Sequence, residues 1–440
     1  MRLSFQNIGK VAKADIEVDA ITVITGKNDT GKSTVGKLLY GIYTALNQLT
    51  PKYLLLEKWE SILDDLDLVD RLVKKKDNSE IWKGFSQEIR QALLLSKEDS
   101  FMEEREKKID TLIKDTVTKL KAAINCVETL DDRWGHIEAI LDDVIEKTKI
   151  KSSNKDTKRL VIENILLGVF TNSLTTELNS KPKANIHFKE NDDNVLELEL
   201  SNNKIIKDSS RIMKQRDFFQ VFYIDNPFIL DDLDKQGSLI YRERKINDHT
   251  NNLLSLLLVK EEKNFFEEAM KGNDITNILS SVLSGDIRRT SGVYKYYSKE
   301  LEEPISIKSI SAGMKSFAIL KLLIEYGHLN KRSEMLILDE PEVHLHPDWQ
   351  LKYAELIVLL AKEYHLRVLI TSHSSDFIEA IDLYSKKHEI DKGVNFYKTN
   401  ALKNGMSEII NVTDDLKPLY ANMVGHIEIF EKMEEELDER

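Results

Sequence analysis

The chain of 440 residues is poor in the features that stabilise secreted or membrane proteins. Its single cysteine excludes a disulfide framework and a cysteine-based zinc site. No apolar run approaches the roughly 20 residues that a membrane-spanning helix needs. With 7 prolines and 17 glycines, long flexible linkers are not expected. The first residues resemble a strand rather than a signal peptide, so we expect a cytoplasmic protein with no membrane partner.

The charge balance disfavours a protein coated with positive charge. Lys and Arg number 63 against 75 Asp and Glu, giving a formal net charge of −12. Such a chain is not suited to bind nucleic acid over its whole surface, although binding in a local basic groove remains an alternative. The 41% of hydrophobic residues and the length allow about two or three compact units with sizeable cores.

A stretch near the N-terminus fits the phosphate-binding pattern G-x-x-x-x-G-K-[ST]. It consists of Gly26, Lys27, Asn28, Asp29, Thr30, Gly31, Lys32, Ser33 and Thr34. A short apolar run precedes it and apolar residues at helical spacing follow it, which is the strand–loop–helix setting that the motif needs. Lys32 would reach the β- and γ-phosphates of a nucleotide, and the Ser33 hydroxyl would bind Mg²⁺.

The remaining pattern divides the chain into four predicted parts. Residues 1–51 form a first lobe with three strands, the phosphate loop and a helix that Pro51 ends. Residues 52–180 form a helical insertion or arm. Residues 181–400 form a second lobe that begins with an antiparallel hairpin, and residues 401–440 form a strand and an acidic helix.

Within the insertion, apolar residues repeat at spacings of three and four, as on one face of a helix. They are Ile109, Ile113, Val117, Leu120, Ile124, Val127 and Leu130. Because the repeat lasts only about three heptads, a contact inside a helix bundle is favoured over a projecting coiled coil. Lysine-rich segments at 74–76 and 149–159 fit a solvated face, with nucleic-acid binding as the alternative. Residues 151–158 resemble a loop.

Two later strands are predicted to end at polar residues. The apolar run 335–338 is followed by Asp339 and Glu340. Asp339 would hold Mg²⁺ directly or through water, and Glu340 would polarise the water that attacks the γ-phosphate. Alternate side chains diverge at the end of a strand, so the two carboxylates can face different groups. The next buried strand, 368–372, ends at His373.

Four motifs in this order resemble the ABC-type ATPase heads of the RecF/SMC class, and most closely the ATPase part of the OLD family. The first is the phosphate loop, and the second is a signature formed by Ser311, Ala312, Gly313, Met314 and Lys315. The third, 338–347, carries the Glu-Pro-Glu and Leu-His-Pro elements of the OLD side, and the fourth is 371–374. The resemblance implies an α/β fold, a P-loop head with a mixed or parallel sheet core, an antiparallel β subdomain and a large helical insertion.

The resemblance also implies ATP and Mg²⁺ as cofactors and a homodimer, or a higher even-numbered assembly, that sandwiches the nucleotides. Ser311 and Gly313 of one copy would cap the γ-phosphate bound to the other copy. His373 would contact the γ-phosphate from the switch position. The choice of ATP over GTP rests on the resemblance alone. The family's glutamine loop would follow the apolar run 218–224, predicted as a central strand, where Asp225 and Asn226 stand instead.

Two functional hypotheses follow from this resemblance. OLD proteins carry a Toprim nuclease domain after the ATPase, and no Asp-x-Asp pair with an upstream glutamate is evident after His373. The leading hypothesis is an ATPase that senses or controls a separately encoded effector, above all a nuclease, as in the antiphage systems PARIS and Septu. The alternative is a RecF-like repair or chromosome-associated ATPase that binds duplex DNA. A transporter subunit is disfavoured by the insertion and the Leu-His-Pro loop.

Overall fold

The computed structural model describes residues 1–49, 51–74, 102–125, 133–149, 155–175, 183–190, 193–210, 220–235, 249–259, 274–290, 292–329, 335–417 and 419. The chain divides into two compact units. The first, here called the head unit, comprises Met1–Ala45, Glu163–Arg211 and Asp217–Arg440. The second, here called the helical unit, comprises Leu46–Ile162 and Ile212–Arg216. In the portion covered by the structure, no helix is both long and apolar enough to cross a bilayer.

The described strands of the head unit form two sheets. Their bounds are β1 Arg2–Ile8, β2 Val11–Glu17, β3 Ile21–Thr25, β4 Lys183–Glu190, β5 Asp193–Ser201, β6 Lys204–Asp208, β7 Val221–Ile224, β8 Asp286–Thr290, β9 Val293–Tyr297, β10 Ile305–Ser306, β11 Met335–Asp339, β12 Arg367–Ser372, β13 Val394–Ala401 and β14 Ser407–Asn411. The large sheet has the order β6-β5-β4-β1-β2-β14-β13-β3-β12-β11-β7, and the small antiparallel sheet has the order β10-β9-β8.

The large sheet is mixed, as the sequence predicts. Strands β13, β3, β12, β11 and β7 run parallel to one another, whereas β1, β2, β4, β5 and β6 pair antiparallel. The carboxyl ends of the parallel strands therefore meet at one edge, where an open α/β sheet binds ligands. The α/β class with an antiparallel part is confirmed.

Strand β7 corrects one prediction. Val221–Ile224 is buried throughout, yet it pairs only with β11 and is the outermost described strand of the sheet. An apolar run shows that both faces of a strand are covered, and it carries no information on how many neighbours the strand has. The predicted central position was therefore wrong.

The helices follow in chain order. Their bounds are α1 Lys32–Gln48, α2 Pro51–Lys74, α3 Met102–Asn125, α4 Arg133–Lys149, α5 Lys155–Val169, α6 His249–Leu258, α7 Asp274–Val282, α8 Ala312–Glu325, α9 Pro347–Tyr364 and α10 Ser375–Lys387. Short 3₁₀ segments lie at Pro227–Lys235, Ile307–Ser309 and Asp391–Gly393. The main core of the head unit joins the parallel strands to helices α6 to α10.

The helical unit has a core of its own, made by α2, α3 and α4. Ile109, Ile113, Val117 and Leu120 of the predicted seam are buried there with residues of α2 such as Ile62. A contact within a bundle is thus confirmed for this part of the seam. The side chain of Ile124, and the seam residues Val127 and Leu130, lie outside the described residues.

A buried lysine also stabilises the helical unit. The ammonium of Lys58 lies 2.7 Å from the Asp110 carboxylate and 3.0 Å from Glu106, and its side chain is almost fully buried. The indole of Trp59 donates to Asp110 over 3.4 Å. Burial raises the pKa of Asp110, while the Lys58 and Trp59 hydrogen bonds oppose that rise. Two carboxylates thus compensate one buried cation.

Two other predictions differ from the structure or lie outside it. Helix α5 begins at Lys155, so the predicted loop at 151–158 was wrong for 155–158. Pro51 ends α1 as predicted, and it is also the first residue of α2, a position at which proline is tolerated. The acidic helix expected from about residue 415 falls almost entirely outside the described residues.

Candidate functional site

The phosphate loop lies between β3 and α1, at the edge where the parallel strands end. Gly26 and Gly31 adopt φ values of +149° and +84°, and Asp29 adopts +63°. Such conformations favour glycine and are uncommon for other residues. The loop leads into the N-terminus of α1 at Lys32. The free backbone N–H groups at this helix end can bind the phosphates of a nucleotide.

The loop is braced from the side by the hairpin of β13 and β14. The hydroxyls of Thr30 and Thr399 are 2.6 Å apart, and Ser407 donates to the Thr30 carbonyl over 2.6 Å. A Cβ on Gly26 would lie 1.8 Å from the Thr399 hydroxyl. Thr399 and Ser407 were not predicted from the sequence, because they are more than 360 residues away from the loop.

Asp339 connects three elements at the end of β11. Its Oδ1 accepts from the Ser33 hydroxyl over 3.0 Å and from the Thr371 hydroxyl. Its Oδ2 accepts from the Tyr223 hydroxyl over 2.8 Å. The predicted pair of Ser33 and Asp339 is therefore brought together, and Tyr223 and Thr371 are partners that the sequence interpretation missed.

The hydroxyl of Ser33 and the carboxylate of Asp339 fit a magnesium ion. They face a cavity of about 250 Å³ that also meets Asp225, Asn226 and Glu340. Oxygen donors of this kind are those that Mg²⁺ prefers, together with phosphate oxygens and water. Among the residues that the structure covers, no cluster of three or more His, Cys, Asp or Glu side chains could hold a metal by protein ligands alone. A nucleotide's phosphates would have to complete the coordination.

Tyr223 and His249 link Asp339 to the residues expected at the glutamine loop. The rings of Tyr223 and His249 pack edge to face with centroids 4.5 Å apart, and Nε2 of His249 lies 2.8 Å from Asp225 Oδ2. Burial, and next the charge of Asp339, raise the pKa of Tyr223 well above 10. Its hydroxyl therefore stays a donor at neutral pH. Asn226 Oδ1 accepts from the Phe228 N–H over 2.9 Å, which orders the turn into the 3₁₀ segment.

Glu340 lies between Lys32 and His373. Its Oε1 is 3.3 Å from Lys32 Nζ and 3.9 Å from His373 Nδ1. The backbone of Glu340 has a φ of +50° and is fixed by hydrogen bonds from its N–H to the carbonyl and the hydroxyl of Thr371. A left-handed non-glycine residue is strained by about 1–3 kcal/mol, and such strain clusters at functional sites.

The ammonium of Lys32 is buried beneath the loop. Its side chain is 3% exposed, and it donates to the carbonyls of Gly26 and Lys27 over 3.1 Å each. A phosphate in the loop would compete with these carbonyls and with Glu340 for the ammonium. Lys32, Ser33, Asp339, Glu340 and His373 are thus brought together, as the motifs predict.

The signature segment lies at the start of α8. Ser311 is exposed at the N-cap of α8, where its hydroxyl accepts from the Met314 N–H over 3.2 Å. Gly313 packs on the loop between β11 and α9, where a Cβ on Gly313 would lie 3.1 Å from the His344 carbonyl. Among the described contacts, no hydrogen bond or ion pair joins residues 311–315 to the phosphate loop.

Lys315 differs from the rest of the signature because its side chain turns inward. Only 2% of it is exposed, and its ammonium lies 2.7 Å from Asp231 Oδ1. It also lies 4.8 Å from the centre of the Phe228 ring and donates to the Lys308 carbonyl over 3.2 Å. These contacts hold α8 against the 3₁₀ segment Pro227–Lys235 and turn the ammonium away from the exposed face of Ser311.

The fold and this set of motifs define a P-loop ATPase. Residues 1–378 match the AAA ATPase domain family. The match spans most of the chain, and the protein belongs to that family. It is an ATP-hydrolysing P-loop enzyme, and its motif order resembles that of ABC-type heads of the SMC/RecF kind.

Comparison with solved structures returns ATPase heads at low identity. The SMC head domain from Thermotoga maritima is 10% identical with a TM-score of 0.38, over 93% of this chain and 98% of that chain. An ATP-binding cassette of an ABC transporter in its ADP conformation is 11% identical with a TM-score of 0.34, over 97% and 96%. TM-scores of this size establish no relationship by themselves, and no curated protein matches the chain.

Proposed function

We propose that two copies of the chain close over two molecules of ATP, each bound to the phosphate loop of one copy and capped by the signature of the other. One observation carries this proposal. Ser311 lies on an exposed helix N-terminus, which suits an anion, and no described hydrogen bond or ion pair joins it to its own phosphate loop. A γ-phosphate held by the loop of a second copy would supply the missing anion.

Each cluster residue then has a role in hydrolysis. Gly26–Thr34 bind the phosphates, and Lys32 neutralises their charge. Mg²⁺, when bound by Ser33 and Asp339, supplies charge stabilisation to the phosphoryl group. Glu340 orients and deprotonates the attacking water as general base. His373 contacts the γ-phosphate, and Asp225 and Asn226 border the same cavity from the glutamine-loop position.

A mixing experiment tests the composite site. Lys32→Ala removes the phosphate-binding lysine, and Ser311→Arg blocks the signature, so each variant alone lacks ATPase activity. An equimolar mixture contains heterodimers with one intact site, and random pairing predicts about a quarter of the wild-type rate. Ser280→Arg, at an exposed serine of α7, is the matched control and keeps the wild-type rate. A mixture no more active than its components contradicts the composite site.

We further propose that closure controls a separately encoded effector, as in OLD-like defence ATPases. The support is the loop from Glu340 to Pro347, with its Glu-Pro-Glu and Leu-His-Pro elements. Val343 and His346 of this loop are exposed, the side chain of His346 to 73%. Affinity purification of Glu340→Gln from the native host, followed by mass spectrometry, should recover a stoichiometric partner that Lys32→Ala loses. Recovery of the chain alone in both cases contradicts effector control.

One surface favours the alternative, direct binding of duplex DNA. In the small sheet, the guanidinium of Arg288 lies 5.4 Å from the Tyr297 ring centre, and that of Arg289 lies 5.8 Å from the Tyr294 ring centre. Arg288 is also paired with Asp286, whose negative charge offsets that of the guanidinium. The alternative predicts ATP-dependent DNA affinity that falls steeply with salt. Absence of such binding by the ATP-bound assembly excludes it.

A further inference from the structure

Besides Asp339 and Glu340, a further carboxylate lies next to the site and is buried. It has no role in the hydrolysis proposed above. Glu342 stands in the loop between β11 and α9, and its side chain is 2% exposed. Its neighbour Val343 is 51% exposed. A carboxylate is costly to bury, and it is found inside proteins where specific donors hold it.

The described donors to Glu342 come from the last residue of β12 and the residue that follows it. Its Oε1 accepts from the Ser372 hydroxyl over 2.6 Å and from the His373 N–H over 2.9 Å. The same oxygen lies 3.5 Å from His373 Nδ1. Its Oε2 is buried and has no hydrogen-bond partner in the structure. Besides accepting from Ser372, the carboxylate therefore contacts His373 through both its backbone N–H and its ring.

Gln350 ties the same two segments together a second time. Its Nε2 donates to the Leu345 carbonyl over 3.1 Å, and its Oε1 accepts from the Ser374 hydroxyl over 3.0 Å. The loop that follows Glu340 and the segment that carries His373 are therefore joined on both sides of the histidine. A displacement of one segment would be passed to the other.

We propose that Glu342 is the positioning residue of His373: it fixes the backbone and Nδ1 of the histidine, so that Nε2 is the ring nitrogen left to meet the γ-phosphate. This inference rests on the proposed role of His373. In histidine sites generally, the partner of one ring nitrogen sets the orientation and chemistry of the other. Because Glu342 and Glu340 share one loop, the water-activating carboxylate and the histidine are then placed by the same segment.

A double-mutant cycle tests the proposal with purified full-length protein. Glu342→Gln keeps the size of the side chain and removes its charge. We expect kcat to fall about 10- to 100-fold, the usual effect of losing a hydrogen bond to a charged group, with KM and the Kd for ATP changed less than twofold. In the His373→Ala background the same change should have no further effect, since Glu342 acts through the histidine.

Control variants separate positioning from loss of structure. Glu190→Gln makes the same change in a half-buried carboxylate whose Oε2 also lacks a hydrogen bond, and it should leave kcat unchanged. Ser372→Ala removes one donor to Glu342 while keeping the carboxylate, so it reports on the same contact if Glu342→Gln unfolds. Its loss of kcat should also vanish in the His373→Ala background.

The outcomes separate the role of Glu342 from the role of His373. Independent, multiplicative losses of kcat from Glu342→Gln and His373→Ala overturn the positioning role while leaving His373 in the site. A wild-type kcat in His373→Ala overturns both the proposed role of the histidine and the inference that depends on it. An equal loss of kcat in Glu190→Gln assigns the effect to general stability and also overturns the proposal.

Discussion

Tyr223→Phe removes one oxygen atom from the site and should weaken magnesium-dependent steps selectively. The hydroxyl donates to Asp339 Oδ2 over 2.8 Å. Tyr223 as a whole is only 2% exposed. A hydrogen bond to a charged group contributes about 1.5–3 kcal/mol. The adjoining cavity of about 250 Å³ has room for a water that replaces part of this contact. We therefore expect the lower end, about 1.5 kcal/mol or roughly tenfold.

The assay is a titration of ATPase rate against Mg²⁺, paired with Mn²⁺ binding followed by electron paramagnetic resonance. The concentration for half-maximal rate and the Kd for Mn²⁺ in the presence of nucleotide should each rise about tenfold. Nucleotide binding without metal should not change. Tyr397→Phe is the control, because its hydroxyl accepts from the Glu17 N–H over 2.8 Å in the same unit. Unchanged metal dependence in Tyr223→Phe, or an equal change in the control, refutes the reasoning.

Three further predictions concern the phosphate loop, the helical unit and alkaline pH. Gly26→Ala should lower ATP affinity at least tenfold by equilibrium binding, because its φ of +149° and the Thr399 hydroxyl exclude a Cβ. Asp110→Asn should destabilise the helical unit by about 1–3 kcal/mol in thermal unfolding, since Lys58 keeps only Glu106. Tyr353→Phe should unfold less readily than wild type above pH 10. Burial raises the pKa of Tyr353 in the folded protein, so above pH 10 only the unfolded wild type releases the phenol proton, and the wild type loses about 1.4 kcal/mol of stability per pH unit that the variant keeps. At pH 7 the two proteins should be equally stable.

The sequence predicts the parts of the site that local chemistry defines. The phosphate loop, the acidic end of β11 and the histidine after β12 each follow from a short motif in a strand–loop setting. Contacts between distant segments leave no such signal: Tyr223 and Asp339 are 116 residues apart, and Thr399 and Thr30 are 369 apart. A tyrosine in the apolar run 221–224, followed by polar residues, is the only hint that its hydroxyl reaches the site.

The same limit explains what was predicted wrongly or incompletely. The apolar run 218–224 predicts a central strand, although β7 lies at the edge of the described sheet. In the sequence, Glu342 is recognisable only as part of a family motif. Its burial and its contact with His373 could not be predicted, because they depend on how β11 and β12 lie side by side. Lys315 sits in the signature by sequence, yet it packs inward against Asp231.

The central claim is that ATP joins two copies of the chain until Glu340 hydrolyses it. Gel filtration with light scattering on Glu340→Gln, after incubation with ATP and Mg²⁺, tests this most directly. The account predicts a particle of at least twice the 50.8 kDa chain mass that retains one uncleaved ATP per chain, with Lys32→Ala remaining a nucleotide-free single chain. A Glu340→Gln protein that hydrolyses ATP at the wild-type rate, or binds it as a single chain, contradicts the account.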